Sequence, residues 1–456
     1  MSKVAVHTTN DPALAPTLSN AIASFAAGTH GKNIPQSAHH ILRLSLLDWF
    51  AVALAGKDEP VSRIVRDMSA REGGADQASV IGLAERLPAR AAALVNGTTS
   101  HALDYDDTHF LYIGHPSVAV LPAAMAIAQH IGASGAHFLD AALVGVETAC
   151  RIGHWLGRSH YDLGFHQTAT SGAFGAAMAG ARLLGLDAER ASHALAIAAT
   201  RASGLKSQFG TMGKPYNAGI AASNGVEAAL LAHAGFISRD DGLECAQGFA
   251  ATHGGSGTDL SEVLDGLGQR FVFESVEHKF HACCHGLHAA LEALIEARNA
   301  HDLMPGDIEH ITIEVNPSWL KVCDIAEPGT GLEAKFSYRL AAALALTGRD
   351  TSALSTFTDA VCREAKLISL RDRVQASADA SLPDTAARVR IALVSGNDIK
   401  ASHDLATPLP TAKREAKVRA KAAILTSPSR ADNLWQQINE LGAPSNKVDW
   451  PALFAG

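Results

Sequence analysis

Apolar residues recur at helical spacing through most of the first 270 positions. The run SAHHILRLSLLDWFAVALAG, 37–56, carries an apolar stripe and stops on glycine, which predicts a helix ending there. The same period predicts helices over 60–72, 86–103, 116–132 and 136–157, and no strand before about 270. The pattern then changes. IEHITIEV (308–315) and ARVRIALV (387–394) alternate and are rich in β-branched residues, which predicts strands. Ser395, Gly396, Asn397 and Asp398 form a turn, and IKASH returns as a hairpin partner. Helices are expected at 332–347, about 352–364 and 411–441, and a loose polar arm at 1–16. The expected fold is mostly α: a large all-α helical domain with a smaller inserted α+β domain. The boundaries fall at 1–270, 271–405 and 406–456, the last being helices that return to the large domain. Asp48, inside the first apolar helix, is expected to pair with a neighbouring helix. Glu147 and Arg151, four apart, read as a pair on a helix surface.

Composition narrows the partners. Of 456 residues 47% are hydrophobic and 18% charged, as in ordinary globular proteins. Alanine and glycine are abundant, so helices are expected to approach closely. A net charge of −8 argues against nucleic acid, and any anionic substrate must meet a local cationic pocket. Six spread cysteines make no disulfide framework. No signal-like apolar core stands at the N-terminus, and no uninterrupted apolar run reaches ~18 residues. The expectation is a cytoplasmic protein without a membrane span.

Polar chemistry gathers in irregular stretches between the apolar ones. HALDYDDTHFLYIGHP (101–116) places Asp104, Asp106 and Asp107 beside Thr108, His109 and His115. Acid, hydroxyl and imidazole on one loop suit proton transfer; a solvated acidic loop capping the next helix is the competing reading. His166 and Lys214 each stand at the foot of a small-residue helix, where free N–H groups favour anions. Residues 278–288, HKFHACCHGLH, concentrate Lys279, His281, Cys284 and His285. Cysteine and histidine also make zinc sites, but those draw on two separated ligand pairs that this chain lacks. The favoured reading is therefore an active-site segment with no metal. Tyr338 stands in the first turn of a predicted helix, where packing is the competing role.

Five ordered blocks carry a resemblance: NGTTSHALDYDDTH with GHPSVAVLP, GFHQTATSGAFGAA, FGTMGKPYNAGIAASNGVEAALLAHAGF, HKFHACCHGLH and AKFSYRLAAALAL. Together they are similar to the MmgE/PrpD family over about 20–440. The resemblance implies a homodimer, no organic cofactor, and a pocket for a small anionic carboxylate substrate. It carries over Asp104, Thr108, His115, His166, Lys214, Lys279 and Tyr338 as the pocket's polar residues, with catalytic roles expected for Asp104, His115, His166, Lys279 and Tyr338 and substrate contacts for Thr108 and Lys214; the 278–288 cluster adds His281 and Cys284 as expected substrate contacts. The chain departs from the commoner pattern at Ala282, and at Cys284, where the family's decarboxylase has a histidine; that weighs against decarboxylation. The shared step is proton movement at the carbon beside a carboxylate, with lysines stabilising the developing charge. The expected activity is a lyase of the 2-methylcitrate dehydratase type, a hydro-lyase. An epimerase of the iminodisuccinate type and a non-catalytic helical binding protein are the alternatives.

Overall fold

The computed structural model describes residues 17–29, 31–254, 258–443 and 448–455; the polar arm expected at 1–16 lies outside them. Helices α1 (Leu18–Gly28), α2 (Gln36–Gly56), α3 (Pro60–Glu72), α4 (Ala89–His101), α5 (Pro116–Ile131), α6 (Gly135–Asp162), α7 (Gln167–Leu183), α8 (Ala188–Arg201) and α9 (Gly213–His233) build the first part. Short helices α10 (Phe249–His253) and α11 (Leu260–Leu264) follow. Small residues set the spacing here. A Cβ added to Gly97 on α4 would lie 2.9 Å from the Cα of Gly219 on α9. One added to Gly145 on α6 would lie 2.7 Å from the Gly175 carbonyl on α7. Backbones this close gain dispersion contact that larger side chains would prevent. α6 is broken internally at Gly157, whose φ of 66° a residue with a Cβ rarely adopts.

Helix α2 is long and apolar enough to cross a membrane, with mean hydropathy 1.2, but 78% of that window is buried inside the fold. It is a core helix, and the C-terminal helices α17 (Thr411–Leu425) and α18 (Pro428–Glu440) pack on it.

Between them stand α12 (His288–His301), α13 (Pro317–Cys323), α14 (Gly331–Ala334), α15 (Tyr338–Leu346) and α16 (Ala365–Arg371), with α19 (Trp450–Phe454) closing the chain. Strands β1 (Ile308–Val315), β2 (Val374–Ala378), β3 (Ala386–Leu393) and β4 (Asp398–Asp404) form one sheet in the order β2-β1-β3-β4. β1 runs parallel to β2 and antiparallel to β3, and β3–β4 is the expected hairpin. α12 packs on β3 and β4, and α15 on β2, so Ile308, Ile311, Ile313 and Val315 turn inward. Buried apolar side chains fall into two clusters. One runs from Leu18 to Val276 and resumes from Val418 to Phe454. The other spans Ala282 to Ile391 and takes in Val52 and Tyr105 from the first part.

The fold departs from the sequence expectations in five places. The helix expected at 332–347 is interrupted after Ala334, because Ser337 turns out to cap a new one by accepting from the Leu340 N–H. The helix at 352–364 is only two 3₁₀ turns, Leu354–Thr356 and Val361–Arg363. Strand β2 went unread: VQASA is short and only weakly alternating. The helix at 411–441 divides at Ser427–Pro428, where Ser427 caps α18. Glu147 and Arg151 lie in the core, not on a helix surface, at 0% and 1% side-chain exposure. Arg151 reaches the carbonyls of Val263, Asp265 and Arg270, and Glu147 accepts the N–H groups of Val272 and Phe273. The i,i+4 spacing gave the pair, but burial depends on a segment more than 110 residues away.

Candidate active site

The loop between α4 and α5 carries the centre of the site. Asp104 adopts φ 51°, a left-handed conformation that aspartate tolerates better than most side chains. Thr108 pairs through its backbone with Glu277, donating at 2.8 Å and accepting at 2.7 Å, which ties this loop to the 277–288 segment. His115 immediately precedes α5, His166 immediately precedes α7, and Lys214 lies in the first turn of α9. The starts of three small-residue helices thus supply three of the site's side chains.

Asp104 is the hub. Lys214 Nζ lies 2.6 Å from Oδ2, Lys279 Nζ 3.0 Å from Oδ1, and His115 Nε2 3.5 Å from Oδ1. Lys279 also donates to the Asp104 carbonyl at 2.6 Å. Behind His115, its Nδ1 is 2.8 Å from Asp106 Oδ2, and His101 Nδ1 is 2.9 Å from Asp106 Oδ1. The His101 ring lies 4.6 Å from that of His115 and stacks 6.0 Å from that of His166. Asn217 Nδ2 is 3.3 Å from His166 Nδ1. Side-chain exposure falls from 31% at Asp104 through 17% at Lys214 and 11% at His115 to 2% at Lys279. The group is open at its Asp104–Lys214 end and closed at Lys279.

Two family models match the chain: the MmgE/PrpD N-terminal domain over residues 20–260 and the MmgE/PrpD C-terminal domain over 281–441. The chain belongs to the MmgE/PrpD family. Among its relatives, the cis-aconitate decarboxylase of Aspergillus terreus is 29% identical over 447 residues, covering 91% of each chain. The human cis-aconitate decarboxylase is 32% identical over 237 residues, 50% of this chain and 49% of its own. The cis-aconitate decarboxylase-like protein oryM of Aspergillus oryzae is 32% identical over 304 residues, 62% of each. Within this MmgE/PrpD chain the N-terminal match carries Asp104, His115, His166 and Lys214, and the C-terminal match carries Cys284 and Tyr338. Lys279 lies between the two matched intervals.

Electrostatics follow from the packing. Burial opposes ionisation of Asp104, but Lys214 and Lys279 outweigh it and hold the carboxyl well below its usual range. Burial likewise opposes the charge of Lys279; Asp104 and Asp106 overcome it and raise its pKa. His115 is pushed down to about 4 by burial, against the pull of Asp106, so its imidazole is neutral at pH 7. Burial holds His166 well below its ordinary value as well. Asp107, hydrogen-bonded by Ser117 Oγ at 2.5 Å, is raised by burial to about 7.

The remaining expected residues sit nearby with other partners. Thr108 Oγ1 is 2.7 Å from His285 Nδ1. The hydroxyl of Tyr338 donates to the Gly286 carbonyl at 2.7 Å, so in this state it is engaged with backbone. Cys284 is half-buried; the neighbouring Cys323 thiol, opposed by burial and aided by Lys279, lowers its pKa. His281 faces away from Asp104: its Nδ1 is 2.7 Å from Thr351 Oγ1 and its Nε2 3.5 Å from Glu292. The chain bends at 281–283, and His281 meets Glu292 on α12 instead of the hub.

His101 and Asn217 belong to the group although the sequence does not mark them, and so do Asp106 and His285 from the two reactive stretches. His101 and Asp106 are five positions apart, and only the turn after α4 brings them together. His101, Asp104, Asp106 and His115 offer ligand atoms within 4.8 Å of one another, a spacing that suits a metal ion. The donor set fits one poorly, since both oxygens of Asp104 already face ammonium groups that would repel a cation. An open cleft of about 820 Å³ lined by Lys32, His39, Arg43 and Asp140 lies elsewhere and holds none of these residues.

Proposed function

We propose that the chain is a lyase acting on a small polycarboxylate, by proton transfer at a carbon beside a carboxylate. One observation carries this: two ammonium groups converge on a single reachable carboxylate next to a neutral imidazole. A substrate carboxylate entering at the Asp104–Lys214 end can take the place of Asp104's oxygens on the lysines. Charge that builds up on the substrate as its bond breaks then lies against Lys214 and Lys279. Neutral His115 accepts a proton, with Asp106 orienting the ring and stabilising the imidazolium that forms. His166, whose ring stacks 6.0 Å from that of His101, offers a second imidazole.

The relatives are named for cis-aconitate, so that acid is the first substrate to try. In a decarboxylation the C–C bond to one carboxylate breaks, CO₂ leaves with neither electron of that bond, and a proton is delivered to the carbanion that remains. In the hydro-lyase reading His115 takes the α proton and the β hydroxyl leaves as water after protonation. Cys284, which the family resemblance sets where the decarboxylase has histidine, favours this second reading. Incubation with cis-aconitate and with 2-methylcitrate, followed by proton NMR of the products, separates them. Release of CO₂ supports the first, and formation of an unsaturated acid from the hydroxy acid the second. Turnover of neither acid, nor deuterium uptake from heavy water into either, would reject a lyase of this substrate class. We also propose, from the family resemblance, a cytoplasmic homodimer of two-domain subunits, for which light scattering should give twice the mass of 47.6 kDa.

A further inference from the structure

One buried cation near the site has no part in the chemistry above. Lys421 projects from α17 and is 2% exposed. Its Nζ lies 2.6 Å from Oδ1 of Asp48 on α2, which is 1% exposed. The same Nζ donates to the Tyr105 carbonyl at 2.5 Å and sits 4.0 Å from the centre of the Tyr105 ring. Asp48 has no other hydrogen-bond partner among the described residues, so its carboxylate is committed to Lys421.

Tyr105 is the residue between the two working acids. Asp104 before it faces Lys214 and Lys279; Asp106 after it faces His101 and His115. Two successive carbonyls of this bend are each held by a buried ammonium, Asp104 O by Lys279 and Tyr105 O by Lys421. The bend needs holding, because a left-handed backbone is strained at a non-glycine residue such as Asp104. Burying an ion pair here is also an inefficient way to gain stability, since apolar side chains of the same volume often do as well. Burial pushes Lys421 down, and Asp48 only partly offsets that.

We propose that Lys421, anchored by Asp48, is a positioning residue of the active site. By fixing the Tyr105 carbonyl it sets the directions in which Asp104 meets the lysines and Asp106 meets the histidines. Helix α17 thereby completes a site whose acids come from more than 300 residues earlier in the chain. This rests on the lyase reading for its kinetic consequence but not for its structural one.

The decisive variant is the double substitution Asp48→Asn with Lys421→Met, which removes both charges and leaves neither buried alone. Lys421→Met by itself leaves Asp48 unpaired and is expected to fold poorly. If the pair only balances charge inside the fold, the double variant should match the native protein in every respect. If Lys421 positions the loop, the double variant should melt within a few degrees of the native protein. Its crystal structure should show Asp104 out of the left-handed region or more than about 4 Å from Lys279. Its kcat on the acid turned over by the native enzyme should fall at least tenfold, with a smaller change in KM. A native loop in those crystals, or native kcat, overturns the proposal. Should the native enzyme turn over neither acid, the lyase reading fails while the loop geometry still decides this one.

Discussion

Two buried ion clusters in this chain use the same ingredients to different ends. Around Glu147 and Arg151 every polar atom is spoken for: the carboxylate takes Arg151 and two backbone N–H groups, and the guanidinium takes three carbonyls. Both side chains are at or below 1% exposure, so the cluster is closed. Around Asp104 the cations are two lysines, Lys214 17% and Lys279 2% exposed, the carboxylate keeps 31% exposure, and an imidazole stands alongside with its proton affinity depressed. A rigid fork with fully matched carbonyls locks a fold. A reachable carboxylate paired with an ammonium at the open end, as Asp104 is with Lys214, suits a ligand that must come and go. Buried charge alone does not mark a functional site; access and unspent hydrogen-bonding capacity do.

The comparison breaks most readily at its structural side. Arg151→Met should cost about 3–5 kcal/mol, read as the urea midpoint, because it leaves Glu147 buried without its cation. Asp104→Asn should cost far less in the same measurement. Equal losses would mean that the two clusters do the same work. On the functional side, His115→Ala and Lys279→Ala should each lower turnover by about 10²-fold or more, with folding retained. Near-native turnover in both would remove the Asp104 group from the chemistry.

Acid sharpens the contrast further. His109 and His115 are held near 4 by burial, and His166, His278, His285 and His288 lie well below their ordinary value. Each binds its proton more readily in the unfolded chain. Their stabilisation is therefore complete above about pH 6.5 and is lost as pH falls from there, down to about 4 for His109 and His115. Asp48, Asp107 and Glu277, raised to about 6, 7 and 7 by burial, act in the opposite sense between about pH 4 and 7. The histidines outnumber them, so the melting temperature should fall on acidification. The loss should be about 1.4 kcal/mol per pH unit for each histidine in surplus. A flat melting profile between pH 7 and 5 would contradict these assignments. The smallest effect is expected at His281. His281→Gln should change turnover by less than about threefold, because its ring serves Thr351 and Glu292.

Much of the fold was legible because it is local. The 3.6-residue period located α2, α3, α5 and α6 to within a residue or so at most of their ends, and strict alternation marked β1 in full. Where a cap residue hides within an apolar run, as Ser337 does, the period alone reads through the break. β2 is legible only as a partner, since it is completed by lying parallel to β1. The site residues were legible as types gathered on irregular stretches: carboxylates, imidazoles and ammonium groups between apolar helices.

By itself, then, the sequence determined the mostly helical class, the presence of a strand-bearing segment, the family, and which reactive side chains the chain has to spend. Which of them meet was decided by tertiary structure. Asp104, Lys214 and Lys279 are brought together across 175 residues, His281 three positions short of Cys284 is turned away, and Lys421 arrives from the far end. The reason is physical: spacing along a helix fixes neighbours within a turn or two. Burial and ion pairing depend on which other element covers that face, and with them proton affinity.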